Sequence, residues 1–211
     1  MALEQEMKLA LASADVAAAT ACLNEIAAGE GLLIALENIY FDTPDCALAK
    51  IKSAVRLRKT AQGWLQTFKA GGGASQGLHS RHEWEMSVSG PHLEPGPLLA
   101  ACADHPAALV LGLALPLLKP LFRTDFSRRI WNLEAAGAQI EIALDQGQVS
   151  VEREGRTQHA PICEIELELK HGDAHALHSL AERLRERIPG LTPDNISKAQ
   201  RGYQLYHSGT N

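Results

Sequence analysis

The sequence lacks the features that would place it in several common classes. Its four cysteines, Cys22, Cys46, Cys102 and Cys163, are scattered and form no C-x-x-C pair. Such spacing argues against a disulfide framework and for buried free thiols in a reducing compartment. The N-terminus, Met1-Ala-Leu-Glu-Gln-Glu-Met-Lys8, is charged almost at once and has no secretory apolar region. The longest apolar run, 107–118, is too short to span a bilayer and contains Pro116. Basic residues are not in excess: 20 Lys and Arg stand against 25 Asp and Glu, a formal net charge of −5. Bulk attraction to nucleic acid or an anionic membrane is therefore excluded, and any polyanion site must be a local cluster. Gly71-Gly-Gly73 is not followed by G-K-[ST], so it reads as a flexible loop and not a phosphate cradle. The expectation is a soluble cytoplasmic protein with neither nucleic-acid nor membrane partners.

What is present is a long series of alternating segments. With 211 residues and 45% hydrophobic content, the chain can build one sizeable core or a barrel with added helices. Period-two patterning covers about 3–9, 34–42, 53–60, 63–70, 81–88, 121–131, 138–145, 148–153 and 161–170. Tight hairpins are expected at Ala61-Gln-Gly63 and at Asp145-Gln-Gly-Gln148. Helical spacing marks three stretches: 15–28 with Asp15 as a cap, a weaker 97–111, and 173–188 with Leu177, Leu180, Leu184 and Ile188 in line. Many strands and few helices with short connections make an α+β protein with antiparallel pairing.

The polar faces of these strands carry the chemistry. Glu164, Glu166 and Glu168 alternate with Ile165, Leu167 and Leu169, which puts three carboxylates ~7 Å apart on one face of a strand. They repel one another, so the row needs metal ions or Arg and Lys from neighbouring strands. Glu4, Glu6 and Lys8 share a face, as do Arg56 and Arg58, Thr67 and Lys69, and Arg81, Glu83 and Glu85. Arg123, Asp125, Ser127 and Arg129 alternate with Phe122, Phe126 and Ile130, and Glu141 and Asp145 face away from Ile140 and Ile142. A sheet with one wet face would carry more Thr, Ser and Gln. Acid and base grouped by sign suit a polyanion held with divalent metals, because Arg forks bind phosphate oxygens and hard carboxylates hold Mg²⁺ or Mn²⁺. In a closed barrel those faces would line the lumen, with the apolar faces outward under the helices. His171, His175 and His178 read as a solvent-facing helix start. Trp64, Trp84 and Trp131 read as packing residues.

In chain order, Glu4-x-Glu6-x-Lys8, Asn38-Ile-Tyr-Phe-Asp-Thr-Pro44, Arg56-x-Arg58, Thr67-Phe-Lys69, Gly77-Leu-His-Ser-Arg81 and Pro120-Leu-Phe-Arg-Thr-Asp-Phe126 are followed by three further runs. These are Gln139-Ile-Glu-Ile-Ala-Leu-Asp-Gln-Gly147, Pro161-Ile-Cys-Glu-Ile-Glu-Leu-Glu-Leu169 and Ile196-Ser-Lys-Ala-Gln-Arg-Gly-Tyr203. Together they resemble the CYTH domains, or triphosphate tunnel metalloenzymes, and within them the bacterial inorganic triphosphatase branch. The resemblance implies an eight-stranded antiparallel β-barrel with helices outside, a requirement for Mg²⁺ or Mn²⁺, and hydrolysis of inorganic triphosphate at a phosphoanhydride bond. It also implies one catalytic domain over 1–205, with 206–211 a tail or a truncated linker to a helical CHAD domain, and it allows a homodimer.

Carried over by position, the resemblance makes Glu4, Glu6, Asp145, Glu164, Glu166 and Glu168 candidate metal ligands. Lys8, Arg56, Arg58, Lys69, Arg81, Arg123, Lys198 and Arg201 become the candidate triphosphate-binding wall. Glu168, Lys8 and Arg58 are the candidate catalytic groups, with Glu168 activating water. The same scaffold would serve a class IV adenylyl cyclase or a thiamine-triphosphatase, and a non-catalytic polyphosphate-binding module would use the same bases. The sequence shows no aromatic or amide cluster for a nucleobase, and its many carboxylates favour hydrolysis.

Overall fold

Apolar–polar alternation becomes eight long strands in the computed structural model, which describes residues 2–208. They are β1 (Ala2–Ala10), β2 (Leu32–Asp42), β3 (Ala54–Thr60), β4 (Gly63–Ser75), β5 (Leu78–Val88), β6 (Lys119–Ala135), β7 (Ala138–Arg153) and β8 (Arg156–His171). A two-residue β9 (Thr192–Pro193) adds to β1. The strands run in the order β5-β4-β3-β2-β6-β7-β8-β1, and antiparallel pairing of β1 with β5 closes the barrel. The helices are α1 (Val16–Ile26), α2 (Ala47–Lys50), α3 (Pro95–Ala101), α4 (Ala107–Ala114), α5 (His175–Arg187) and α6 (Lys198–Ser208). The expected tail from 206 onward thus begins inside α6, and 209–211 lie outside the described residues. Among the described residues no helix is long and apolar enough to cross a membrane. All four cysteines are free thiols, three of them buried.

Two apolar layers cover the outside of the barrel. Met7, Leu9, Ile140, Ile142, Ile165 and Leu167 pack under α1 and α5 against Leu23, Leu177, Leu180 and Leu184. Val55, Phe68 and Trp84 pack under α3 and α4 against Leu98 and Leu111. Each fully buried Leu or Ile contributes roughly 1.5–3 kcal/mol, so these layers, and not the charged face, supply the stability. A third cluster lies on the lumen side. Tyr40, Phe122, Phe126, Val149 and Ile162 pack against Tyr203 of α6. The lumen is therefore divided, with an apolar half closed by α6 and a charged half beside it.

Four sequence expectations change. The segments 138–145 and 148–153 are one strand, because Gly147 makes no turn and stands opposite Phe126 in mid-ladder. A Cβ on Gly147 would lie 2.2 Å from the Asp125 carbonyl oxygen, so this glycine serves close strand approach. Gly147→Ala should lower unfolding stability in urea by roughly 1–3 kcal/mol, as overpacking does. Gly71-Gly-Gly73 belongs to β4, where the register with β5 shifts between Ala70 and Gly73. Gly71 and Gly72 have φ of +70° and +80° and form a bulge in place of a free loop. The helix expected over 97–111 is two helices, with Pro106 just before the second. Asp15 stands at the N-cap of α1 but makes no capping hydrogen bond.

Candidate active-site tunnel

Strand register brings the predicted charges together in rows. Glu6 of β1 is directly opposite Glu168 of β8, which is opposite Glu141 of β7. One step along, Lys8 is opposite Glu166, and the next row pairs Glu164 with Asp145 and Asp145 with Arg128 of β6. From the other side, β5 sets Arg81 opposite Glu4, and β4 sets Lys69 opposite Glu83 and Thr67 opposite Glu85. β3 adds Arg56 and Arg58, opposite Tyr40 and Asn38 of β2. These side chains enclose a cavity of about 270 Å³ lined by eight basic and seven acidic side chains. Lys69 and Arg81 also border a wider cleft of about 850 Å³ beside α6.

At one end the charges are already matched. Oxygens of Asp145, Glu164 and Glu166 lie within 4.8 Å of one another. The Lys198 ammonium sits among them, 2.6 Å from Asp145, 2.5 Å from Glu164 and 2.9 Å from Glu166. Arg128 grips Asp145 with two hydrogen bonds of 2.8 and 2.7 Å and also reaches Glu166. Lys8 bonds to Glu166 and lies 3.0 Å from Glu6. Burial opposes ionisation of Glu166, but Lys198, Lys8 and Arg128 outweigh it and hold its carboxyl well below the usual range. Burial likewise opposes the charge on Lys198, and its three carboxylates keep that ammonium protonated far above the ordinary lysine range.

The opposite end is less evenly matched. Burial would raise the Glu4 carboxyl, yet Lys69 at 2.6 Å and Arg81 at 3.2 Å hold it well below the ordinary value. Glu6 accepts from Arg81 at 2.5 Å. Among the described residues Glu168 pairs only with the half-exposed Lys170 at 2.8 Å, while facing Glu6 and Glu141 across the ladder. Burial, then, pushes the Glu168 carboxyl up. A carboxylate so placed destabilises the fold at neutral pH. Glu168→Gln should raise Tm by roughly 2–4 °C at pH 7, the effect of ~1 kcal/mol in a domain of this size. The sign follows from the raised folded pKa: the wild-type penalty is relieved as pH falls through it, so the gap between the two proteins should narrow on acidification.

On the basic wall, Arg56 reaches Glu85 at 3.4 Å and Glu83 at 3.7 Å. Arg58 forms no ion pair among the described residues. Its Nε donates to Asn38 Oδ1 at 2.8 Å, and Asn38 is fixed in turn by Thr124 at 3.0 Å. Burial and the neighbouring Arg56 and Arg128 push the Arg58 guanidinium down to about 10. Arg58 is thus a cation crowded by cations and oriented by a buried amide.

Not every expected residue reaches the cavity. Arg123 is half-exposed on the outer face of β6, where it pairs with Glu37 and Asp125 at 3.6 Å. The lumen face of β6 is instead Phe122, Thr124, Phe126 and Arg128, so Arg128 stands where Arg123 was expected. Neither an apolar nor a polar parity marks the inside of this strand, because its lumen face starts apolar beneath α6 and becomes charged only at Arg128. Arg201 lies behind the cavity, bonded to Glu164 at 3.3 Å and Asp194 at 2.9 Å. Asp145 and Glu164 are fully buried behind Lys198. Glu83, Glu85, Glu141 and Lys170 join the lining, and Asn38 supports it.

The molecule is a closed β-barrel whose charged half is lined by facing walls of acid and base. The chain belongs to the CYTH domain family, whose model matches residues 2–203. It is similar to an inorganic triphosphatase of Haemophilus influenzae, 36% identical over 171 residues, which is 81% of this chain and 46% of that protein. The chain thus spans about half the length of that curated relative. Two solved structures share the fold. A Hippeastrum adenylyl cyclase candidate described as having a dominant triphosphatase activity is 20% identical, with TM-score 0.64 over 99% of this chain and 97% of that one. An adenylate cyclase candidate of Bacillus halodurans is 21% identical, with TM-score 0.57 over 95% and 98%.

Proposed function

We propose that this chain hydrolyses inorganic triphosphate to pyrophosphate and phosphate in a reaction that requires a divalent cation. The observation that carries the reading is Arg58, a cation without a carboxylate, at the centre of a basic wall that faces a row of acids. The similarity to a named inorganic triphosphatase supports the choice of substrate.

The charge count argues for a metal. Eight bases against seven acids leave the lining nearly neutral, so a triphosphate cannot enter unless cations accompany it or ion pairs change partners. The anionic donors lining the cavity are all carboxylate oxygens, which suit hard ions such as Mg²⁺ or Mn²⁺ and not soft ones. Glu4 and Glu6 would hold such an ion, with Lys69 and Arg81 then available to phosphate oxygens. Asp145, Glu164 and Glu166 also form an oxygen cluster, but Lys198, Arg128, Lys8 and Arg201 already pair with them. When bound, the ion would stabilise charge developing on the phosphate oxygens.

The chain's own groups have separable tasks. Arg58 and Arg56 bind phosphate oxygens as planar forks, and Lys8, Arg128 and Lys198 supply positive charge along the cavity. Glu168, with its raised pKa, accepts the proton of the water that attacks the terminal phosphorus. The basic wall holds the leaving pyrophosphate.

The test is phosphate release from inorganic triphosphate with Mg²⁺ or Mn²⁺, alongside ATP assayed for both phosphate and cyclic AMP. Fast triphosphate hydrolysis, slow ATP turnover and no cyclic AMP are expected. Formation of cyclic AMP, or triphosphate binding with no turnover, would overturn the reading. Glu4→Gln should raise the metal concentration needed for half-maximal rate; an unchanged metal dependence would remove Glu4 from the ion's ligands.

A further inference from the structure

Two sequence motifs contain residues that the chemistry above does not use: Asp42 in the 38–44 run and Tyr203 in the 196–203 run. They meet across the fold, where the Tyr203 hydroxyl donates to Asp42 Oδ2 at 2.8 Å. Asp42 is fully buried and forms no ion pair among the described residues. Backbone N–H groups also donate to it, from Thr43 at 2.7 Å, Leu48 at 2.9 Å and Ala49 at 3.0 Å, and the Thr43 hydroxyl adds a longer bond at 3.5 Å. The carboxylate is therefore fixed by the chain entering and forming α2, and it presents a charged acceptor to α6 at a set position. Burial and the nearby Asp42 carboxylate push the Tyr203 phenol far above its ordinary value, so the hydroxyl remains the donor.

The seat beneath α6 is equally specific. A Cβ on Gly202 would lie 2.1 Å from the Phe122 ring, so the helix backbone rests directly on that ring. Phe122 stacks on Tyr40 with centroids 4.6 Å apart and meets Tyr203 edge-on at 5.1 Å. The first residue of this helix is Lys198. A lysine at a helix N-terminus is disfavoured by the macrodipole, so tertiary contacts must keep it there.

We infer that the Asp42–Tyr203 hydrogen bond is a latch that docks α6 and so positions the Lys198 ammonium in the tunnel. Asp42 and Tyr203 are then positioning residues for the reaction proposed above, on which this inference rests. Neither lines the 270 Å³ cavity proposed for triphosphate, although Tyr203 borders the wider cleft beside it. Their effect on turnover passes through Lys198.

Tyr203→Phe removes one oxygen and keeps the ring that packs on Phe122. Hydrogen exchange of the α6 amides should accelerate roughly 10- to 100-fold, the loss expected for one bond to a charged group, with the barrel strands unchanged. The kcat/KM for inorganic triphosphate should fall by about tenfold or more. In a Lys198→Gln/Glu164→Gln background, where a neutral pair replaces the ion pair, Tyr203→Phe should change kcat/KM by less than about twofold. Asp42→Asn should reproduce the faster α6 exchange. Unchanged α6 exchange in Tyr203→Phe would overturn the latch, and losses of equal size in both backgrounds would overturn its action through Lys198. If the unmodified chain hydrolyses no triphosphate, the functional reading fails separately. The same four proteins are then compared for triphosphate affinity by calorimetry, where a loss confined to the Lys198-containing background supports the latch and equal losses overturn it.

Discussion

Arg58→Gln should lower kcat/KM for inorganic triphosphate by about 10²- to 10³-fold, the scale of removing one aligned donor from a developing anion. The empty protein should be no less stable than the wild type. Arg58 has no carboxylate within ion-pair distance among the described residues, and the repulsion from Arg56 and Arg128 outweighs the attraction of Glu85, so a neutral amide relieves repulsion. Gln can still bond to Asn38, which keeps Thr124 and β2 in place. Arg58→Lys should not restore the rate, because an ammonium cannot use both the Asn38 oxygen and two phosphate oxygens in one plane. Kinetics and thermal unfolding on the same three proteins check all of this. A parallel loss of stability and rate would make Arg58 a structural residue.

Lys198→Ala should produce the largest change in stability. It strips Asp145, Glu164 and Glu166 of the cation at their centre and leaves Arg128, Lys8 and the more distant Arg201 to serve three buried carboxylates. Removing one partner of a buried pair costs about 3–5 kcal/mol, which in a domain of this size lowers Tm by roughly 10 °C or more. Adding Glu164→Gln should recover part of the loss. The pH dependence has a defined sign. Without Lys198, burial raises the folded pKa of the cluster above its unfolded value, so the defect is fully present at neutral pH. It should shrink as pH falls through the raised pKa. Urea unfolding of the single and double variants between pH 5 and 8 is the check. A variant equally defective at every pH would mean that Lys198 acts by packing alone.

What could be read in the sequence was set by short-range periodicity. Glu164, Glu166 and Glu168 share a face because side chains alternate along any strand, and Glu4, Glu6, Arg56 and Arg58 obey the same rule. Alternation alone gives antiparallel strands and leaves closure open; the closed barrel is what the resemblance of the motifs implies. Arg128 was not legible. Arg128 and Arg129 are adjacent, and deciding between them requires knowing which face of β6 lies under α6. Gly147 looked like a turn because a glycine needed for close strand approach and one needed for a hairpin are the same letter. The distinction between the saturated cluster at Lys198 and the strained row at Glu168 depends on cross-strand register. That property arises only when distant segments pair.

The most direct test of the tunnel account is a calorimetric titration of inorganic triphosphate into wild type and Arg58→Gln, with and without Mg²⁺. The account predicts binding to the wild type that strengthens when Mg²⁺ is present and is largely lost in Arg58→Gln. Equal binding by the two proteins, or binding indifferent to the metal, would place the anion elsewhere and contradict it.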